Sequence, residues 1–141
     1  MESLEQFHDG YYNGLFIREG SVDIFVANHI KQRFVVSATE VDALVSTDIR
    51  AGNIIFDIVC RRGIEITLDD IREAHGFGDR PQDASHALRA MAKARELELS
   101  FLALSSSYGG TLAMFAKSFT LRTEEDWIRE LCAEGTALTL L

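Results

Sequence analysis

The chain has 141 residues, 47% of them hydrophobic and 26% charged, which is typical of a single globular domain spanning residues 1–141. Its formal net charge is −8 at pH 7, and this weighs against nucleic acid as a partner, because phosphate binding requires clustered Lys and Arg. The acidic balance favours either simple solubility or an acidic face that contacts a protein partner with a basic surface.

Alternation of apolar and polar residues predicts strands through the first half of the chain. The segments 11–18 and 21–28 alternate clearly and read as an antiparallel hairpin. The β-branched segment 33–38 and the apolar segment 53–60 are the next two predicted strands. Between them, residues 39–49 carry apolar side chains at spacings of three, four and eight, which favours a helical turn or an irregular apolar edge.

The second half of the chain mixes helix and strand. Residues 73–83 contain two glycines and the only proline, so they are predicted to form a long loop. Strong helix formers predict the main helix at 84–96. The segments 97–105 and 111–121 are predicted strands, although Ala, Met and Lys in the second would also suit a helix. A threonine followed by three acidic residues predicts a short C-terminal helix over 123–135.

Together these elements predict an α+β fold. A mostly antiparallel, twisted sheet of about six strands carries the main helix on one face, and the short C-terminal helix covers an edge. No period of 20–50 residues repeats, so a solenoid is excluded. The side chains expected in the core are those of Phe16, Ile24, Val36, Ile54, Phe56, Ile58, Leu88, Met91, Leu99, Phe101 and Trp127.

We expect a cytoplasmic protein that does not span a membrane. The first residues, MESLEQFHDG, have neither the basic nor the apolar region of a signal peptide, and no apolar run approaches 18 residues. Cys60 and Cys132 are too few for a disulfide framework. Because Cys60 ends an apolar strand, we expect it to be a buried free thiol.

The stretch SSSYGG, residues 105–110, is the most prominent candidate for a binding loop. A phosphate-binding loop gathers backbone N–H groups at a helix N-terminus with a lysine nearby, and a hydrolase nucleophile stands in GxSxG. Neither pattern is present, so we interpret the stretch as a hairpin turn. If 111–121 were a helix, Ser107, Gly109 and Gly110 would instead form an anion-binding site.

Two polar clusters are further candidates for a site. His8 and Asp9 are an acid–base or metal-binding pair by residue type, but adjacent side chains diverge on extended backbone, which favours a turn. His75 and His86 lie eleven residues apart with two aspartates between them. This spacing lacks the HxxxH and CxxC patterns of zinc sites, so we predict neither a metal, a cofactor nor a catalytic residue.

The order of FHDGYYNGLF, the predicted strands, GNIIFDI and SSSYGG resembles small bacterial domains that are uncharacterised or of the polymorphic-toxin immunity type. The resemblance covers most of the chain in the order of its elements, and it carries over no functional residue. It implies a non-enzymatic binding domain with an acidic surface.

The leading hypothesis is a non-catalytic protein-binding or immunity-like module. The alternative is a small enzyme or ligand-binding protein that uses the 73–86 loop and the His8–Asp9 turn. It requires His8, Asp9, His75 and His86 to converge, because catalytic groups act within hydrogen-bond reach. A third hypothesis is a homodimer joined through an exposed strand edge, without ligand chemistry.

Overall fold

The structure is a computed structural model, and it describes residues 4–47, 53–107 and 110–133. Within these ranges, six antiparallel strands form one sheet that closes on itself as a barrel, and three α-helices accompany it. The predicted α+β fold with about six antiparallel strands is therefore confirmed. No helix in these ranges is long and apolar enough to cross a membrane.

Two of the described α-helices lie between the fourth and fifth strands, and one lies after the sixth. The strands are β1 (Tyr11–Arg18), β2 (Ser21–Ala27), β3 (Arg33–Thr47), β4 (Asn53–Arg62), β5 (Ser100–Ser106) and β6 (Thr111–Thr123). The α-helices are α1 (Leu68–His75), α2 (Pro81–Glu96) and α3 (Glu124–Ala133). Short 3-10 helices, Leu4–Phe7 and Gly63–Glu65, precede β1 and follow β4.

Around the barrel the strands follow the order β1-β2-β3-β6-β5-β4, and β4 returns to β1. The neighbours β3 and β6 pair over almost their full lengths. By contrast, among the described residues β1 and β4 pair only at Tyr11–Ile54 and Tyr12–Asn53. Among the described residues, backbone hydrogen bonds from the N–H of Asp9 to the Ile55 carbonyl and from the N–H of Ile55 to the Gly10 carbonyl extend this contact.

Two apolar cores hold the molecule together. The interior core takes side chains from all six strands, including Tyr12, Ile24, Val36, Ile55, Leu102 and Met114. A second core lies between α1, α2 and the outer face of β5 and β6, with Ile71, Met91 and Phe101 buried in it. Eight strands give a barrel that side chains just fill, so a narrower six-stranded barrel offers ligand sites at its mouths and outer surface.

The predicted core is correct in part. Ile24, Val36, Met91, Leu99 and Phe101 are buried, and Ile54, Ile58 and Trp127 are half-buried. Phe16 and Phe56 were wrongly expected inside, since 45% and 59% of their surfaces are exposed. On β4 the cause is a bulge between Ile55 and Asp57, which sends Ile55 into the interior and Phe56 outward.

Leu88 was also wrongly expected in the core, and 60% of its surface is exposed. The helix α2 faces the barrel through Ala87, Met91 and Ala94, which recur at spacings of four and three. Leu88 lies one residue beyond that stripe. The small alanines let α2 approach the sheet closely, so its largest aliphatic residue is not needed for the contact.

The helical turn considered for 39–49 is wrong, because β3 continues through Thr47. Residues 48 and 49 lie outside the described ranges. The irregular apolar spacing arises from a bulge between Val41 and Ala43, next to Glu40 in a left-handed conformation with φ of 49°. A bulge inserts one extra residue and so interrupts the period-two alternation of a strand. The apolar residues of this segment therefore recur at spacings that are also typical of a helix.

The loop predicted for 73–83 is much shorter in the structure. The helix α1 begins with a capping box between Thr67 and Asp70, and it ends at Gly76, whose φ of 70° is left-handed. Pro81 is the first residue of α2, a position where its missing N–H costs nothing. The non-helical link is therefore confined to residues 76–80.

The strand prediction for 111–121 is confirmed, because β6 pairs with β5 on one side and with β3 on the other. Two ladders of hydrogen bonds override the helix propensity of Ala, Met and Lys. The C-terminal helix is confirmed over Glu124–Ala133, and Trp127 packs edge-to-face on Phe25 of β2. The predicted end of that helix, at 134–135, lies outside the described ranges.

Candidate functional site

His8 and Asp9 form an exposed turn that contacts β4. His8 Nδ1 lies 2.6 Å from the carbonyl oxygen of Phe56, and its Nε2 lies 3.8 Å from the Asp9 carboxylate. The backbone N–H of Asp9 donates to the carbonyl oxygen of Ile55 at 3.0 Å. These contacts join the turn to β4.

His75 and His86 are brought together by the ring of Phe77. The His75 ring stacks on Phe77 with centroids 5.1 Å apart, and the His86 ring lies 6.1 Å from the same centroid. Burial lowers the pKa of His75, the Asp42 charge partly opposes that shift, and the Lys93 charge adds to it.

No hydrogen bond, ion pair or ring contact joins the His75–His86 pair to His8 and Asp9 in the part of the chain that the structure describes. The same part of the chain holds no group of three or more His, Cys, Asp and Glu side chains that could bind a metal ion. The four residues therefore form two clusters on different elements.

The stretch 105–110 connects β5 to β6. Ser105 pairs with Thr111, and the backbone N–H of Ser106 donates to the carbonyl oxygen of Gly110 at 3.0 Å. The N–H of Ser107 donates to the carbonyl oxygen of Ile54 at 2.9 Å, so it is engaged within the fold. Gly109 lies outside the described residues.

A groove of about 640 Å³ lies at the mouth of the barrel where β4 ends and β5 begins. The C-terminal end of α2, the Gly63–Glu65 turn and the middle of β6 complete its walls. The groove is lined by the basic residues Arg62, Arg95 and Lys117 and by the apolar residues Ile64, Ile66 and Phe119. It is named the mouth groove below.

The turn from α2 into β5 positions two of the basic residues. Leu97 ends α2, and Glu98 takes a left-handed φ of 54°, which reverses the chain into β5. Lys117 Nζ donates to the carbonyl oxygen of Leu97 at 2.8 Å and lies 3.9 Å from the Glu98 carboxylate. This contact ties β6 to the end of α2, where Arg95 faces the same groove.

Arg62 enters from the opposite wall. It is the last residue of β4, and Gly63 with a left-handed φ of 54° turns the chain beyond it. Ile64 follows at the rim with 97% of its surface exposed. Burial raises the pKa of the nearby Cys60 thiol, and the Arg62 charge only partly opposes that shift. The raised pKa favours the protonated thiol near neutral pH, and the thiol is a weaker nucleophile than the thiolate.

Positive charge is concentrated in this groove of an acidic protein. Within the described ranges, no carboxylate lies within 4.0 Å of the guanidinium of Arg62 or Arg95. Lys117 Nζ lies 3.9 Å from the carboxylate of Glu98, and among the described residues that line the groove Glu98 is the only acidic one. The two guanidinium groups, each with five N–H donors, are thus available to an anionic ligand.

Sequence reasoning missed the mouth groove because its basic residues come from β4, α2 and β6 and lie far apart along the chain. The Lys and Arg residues are scattered along the sequence and form no cluster in it. The adjacent pair Arg61–Arg62, at the end of an apolar strand, was the one available signal.

Comparisons of the chain with protein-family models, with curated proteins and with solved structures found no match. A fold alone does not identify a function, because one fold hosts many. The geometry and charge of the mouth groove therefore carry the functional argument.

Proposed function

We propose that the chain is a non-catalytic binding module that holds an acidic, partly apolar segment of a protein partner in the mouth groove. The observation that carries this proposal is the meeting of Arg62, Arg95 and Lys117 around one groove in a chain of net charge −8. Mouths of β-barrels are common ligand sites, and about 640 Å³ lies within the usual range for ligand pockets.

The chemistry of the lining matches such a segment. Guanidinium groups bind carboxylates through paired N–H donors, and these charge-assisted hydrogen bonds are stronger than neutral ones. Ile64, Ile66 and Phe119 offer apolar surface beside the charges. A side chain such as Leu or Phe between two acidic residues would contact that surface while its neighbours pair with Arg62 and Arg95.

The net charge of the protein repels an acidic partner at long range. At physiological ionic strength, charges separated by more than about 8 Å are largely screened, whereas contacts inside the groove act below that distance. The local field of the groove therefore dominates once the segment is seated. The earlier expectation of a basic partner rested on net charge alone, and it stays a prediction for the remainder of the surface.

An immunity-type role is one form that this partner binding would take, with the acidic segment belonging to the toxin. The enzyme or ligand-binding alternative built on His8, Asp9, His75 and His86 also stays a prediction. We favour the mouth groove over it because the groove gathers three like charges around one volume, while His8 contacts the Phe56 ring and the other two histidines contact the Phe77 ring.

Calorimetric titration with the pentapeptide acetyl-Glu-Leu-Glu-Phe-Glu-amide tests the proposal. We expect this peptide to bind, and the version with lysine at each glutamate position not to bind. The double variant Arg62→Gln/Arg95→Gln should weaken binding at least tenfold, which corresponds to about 1.4 kcal/mol and is less than two charge-assisted hydrogen bonds contribute.

The matched control is Arg80→Gln/Arg89→Gln, which removes the same charge from two exposed arginines of α2 and its N-terminal cap, outside the groove. Its affinity should stay within about twofold of the wild-type value, as expected for charges that make no contact with the ligand. Equal binding of the acidic and basic peptides, or equal losses in the two double variants, would contradict the proposed function.

A further inference from the structure

A second pocket, of about 370 Å³, adjoins the mouth groove and shares Leu99 and Lys117 with it. It lies between residues 40–42 of β3 and the turn that joins α2 to β5. Because Lys117 lines both spaces, its side chain marks the boundary between them. A ligand in the mouth groove can therefore continue past Lys117 into this pocket, which is named the side pocket below.

The two spaces differ in charge. The mouth groove is lined by three basic residues and one acidic residue, whereas the charged residues of the side pocket are Glu40, Asp42 and Lys117. The Asp42 carboxylate is already paired, because it lies 2.6 Å from Lys93 Nζ. Lys117 Nζ lies 3.9 Å from the Glu98 carboxylate. These two pairs leave the charge of Glu40 without compensation.

Glu40 is exposed and lies next to the bulge of β3. Within the described ranges, no Lys, Arg or His nitrogen lies within 4.0 Å of its carboxylate. The apolar side chains of Val41 and Leu97 line the same pocket, and 43% of the Leu97 surface is exposed. Lys and Arg side chains pack their aliphatic stems on such surface and keep the charged group at its polar edge.

We propose that the partner segment carries a lysine or arginine beside its acidic part, and that this cation pairs with Glu40 in the side pocket. This inference rests on the proposed function, because it extends the occupant of the mouth groove. The bound segment then has acidic residues at Arg62 and Arg95 and a cation beyond Lys117. The side pocket thus selects among acidic segments, since one without the cation binds through the mouth groove alone.

Two lysines near the side pocket oppose a third cation, but the local balance of charge still favours it. Glu40, Asp42 and Glu98 supply three negative charges, and Lys93 and Lys117 supply two positive charges. One negative charge is therefore left, which suits a single cation. Because Glu40 is exposed, its ion pair adds modestly to affinity and acts mainly on selectivity.

Calorimetric titration with extended peptides tests this inference. The probes are acetyl-Lys-Gly-Gly-Glu-Leu-Glu-Phe-Glu-amide and acetyl-Glu-Leu-Glu-Phe-Glu-Gly-Gly-Lys-amide, each compared with a version that has norleucine in place of lysine. Norleucine keeps the aliphatic stem and lacks the charge. Because the side pocket adjoins the groove on one side, we expect one of the two lysine peptides to bind at least about threefold more tightly than its norleucine version.

Glu40→Gln should abolish this preference for lysine and leave the affinity for the pentapeptide acetyl-Glu-Leu-Glu-Phe-Glu-amide within about twofold, since Glu40 does not line the mouth groove. The matched control Asp79→Asn removes one charge from the exposed 76–80 link and should keep the preference. If the pentapeptide does not bind, the proposed function fails and this inference fails with it.

Three results would overturn this inference alone, with the pentapeptide still binding to the mouth groove. In the first, neither extended peptide prefers lysine. In the second, both prefer it equally, which is the result expected from the net charge of the protein. In the third, Glu40→Gln keeps the preference of the wild type.

Discussion

Gly10 stands where a side chain has no room. A Cβ atom there would lie 2.1 Å from the carbonyl oxygen of Ala27 and 2.9 Å from that of Phe7. Its carbonyl oxygen also accepts a hydrogen bond from the N–H of Ile55 at 2.9 Å. The glycine that follows His8 and Asp9 in the sequence is therefore needed for close packing of the chain against β2 and β4.

We expect Gly10→Ala to lower the free energy of unfolding by at least about 3 kcal/mol, because backbone atoms must move to admit the methyl group. Urea unfolding followed by circular dichroism measures this loss. Gly78→Ala is the matched control, since its Cβ would meet only Asp83 Oδ2 at 3.4 Å. Similar stabilities of the two variants would show that the barrel adapts at Gly10.

The titration of His75 gives a second prediction for a single residue. Burial lowers its pKa, so the folded protein binds fewer protons than the unfolded chain around pH 6. The stability that neutral His75 contributes is present above its unfolded value, about 6.5, and is lost as the pH falls through the folded value. Acidification in this window should therefore destabilise the protein.

Glu73 on the same helix acts in the opposite direction, because burial and then the nearby Asp70 charge raise its pKa from 4.5. The stabilities of the wild type and the His75 variant should therefore be compared above about pH 5.5, where the titration of Glu side chains contributes less. We expect the wild type to lose more stability than His75→Gln between pH 7.5 and about 5.5. Urea unfolding across this range checks it, and parallel pH profiles would contradict the assignment.

At the scale of secondary-structure elements, a buried ionic network joins four strands. Asp23 of β2 is fully buried, its Oδ1 accepts a hydrogen bond from Ser37 of β3 at 2.6 Å, and Arg18 of β1 lies 3.0 Å from its Oδ2. Arg122 of β6 donates to the Ser37 hydroxyl at 2.8 Å and pairs with Glu130 of α3. The network therefore also anchors α3.

Removing the carboxylate should destabilise the protein strongly. Asp23→Ala leaves Arg18 without its buried partner and Ser37 without its acceptor, and loss of one member of a buried pair costs about 3 kcal/mol or more. Thermal and urea unfolding measure the loss, with Asp79→Ala as the exposed control. A loss below about 1 kcal/mol would place Asp23 among ordinary surface charges.

The strands were predictable where alternation is unbroken, as in β2 and in the hairpin of β5 and β6. Prediction failed where tertiary structure changes the register. The bulge beside Phe56 sends Ile55 inward in place of Phe56, and the bulge at Val41–Ala43 obscures the alternation in the second half of β3. Asp23 alternates with the interior residues Val22 and Ile24, but its burial depends on neighbours such as Ser37 that are distant in sequence.

At the scale of the whole molecule, the mouth groove could not be predicted from the sequence, because its charges converge only when β4, α2 and β6 are assembled. Composition gave the net charge but no information on its distribution. The stretch 105–110 attracted attention through local residue types, and the structure uses it to join β5 to β6. The groove lies at the other end of β5, beside Ser100.

The central claim is that an acidic segment binds in the mouth groove, and nuclear magnetic resonance can locate the binding site directly. The ¹⁵N-labelled protein would be titrated with acetyl-Glu-Leu-Glu-Phe-Glu-amide. The account predicts that the largest amide shifts occur at Arg62, Ile64, Arg95 and Lys117 and disappear in Arg62→Gln/Arg95→Gln. Shifts centred on His75 and His86, or no saturable shift at any residue, would contradict it.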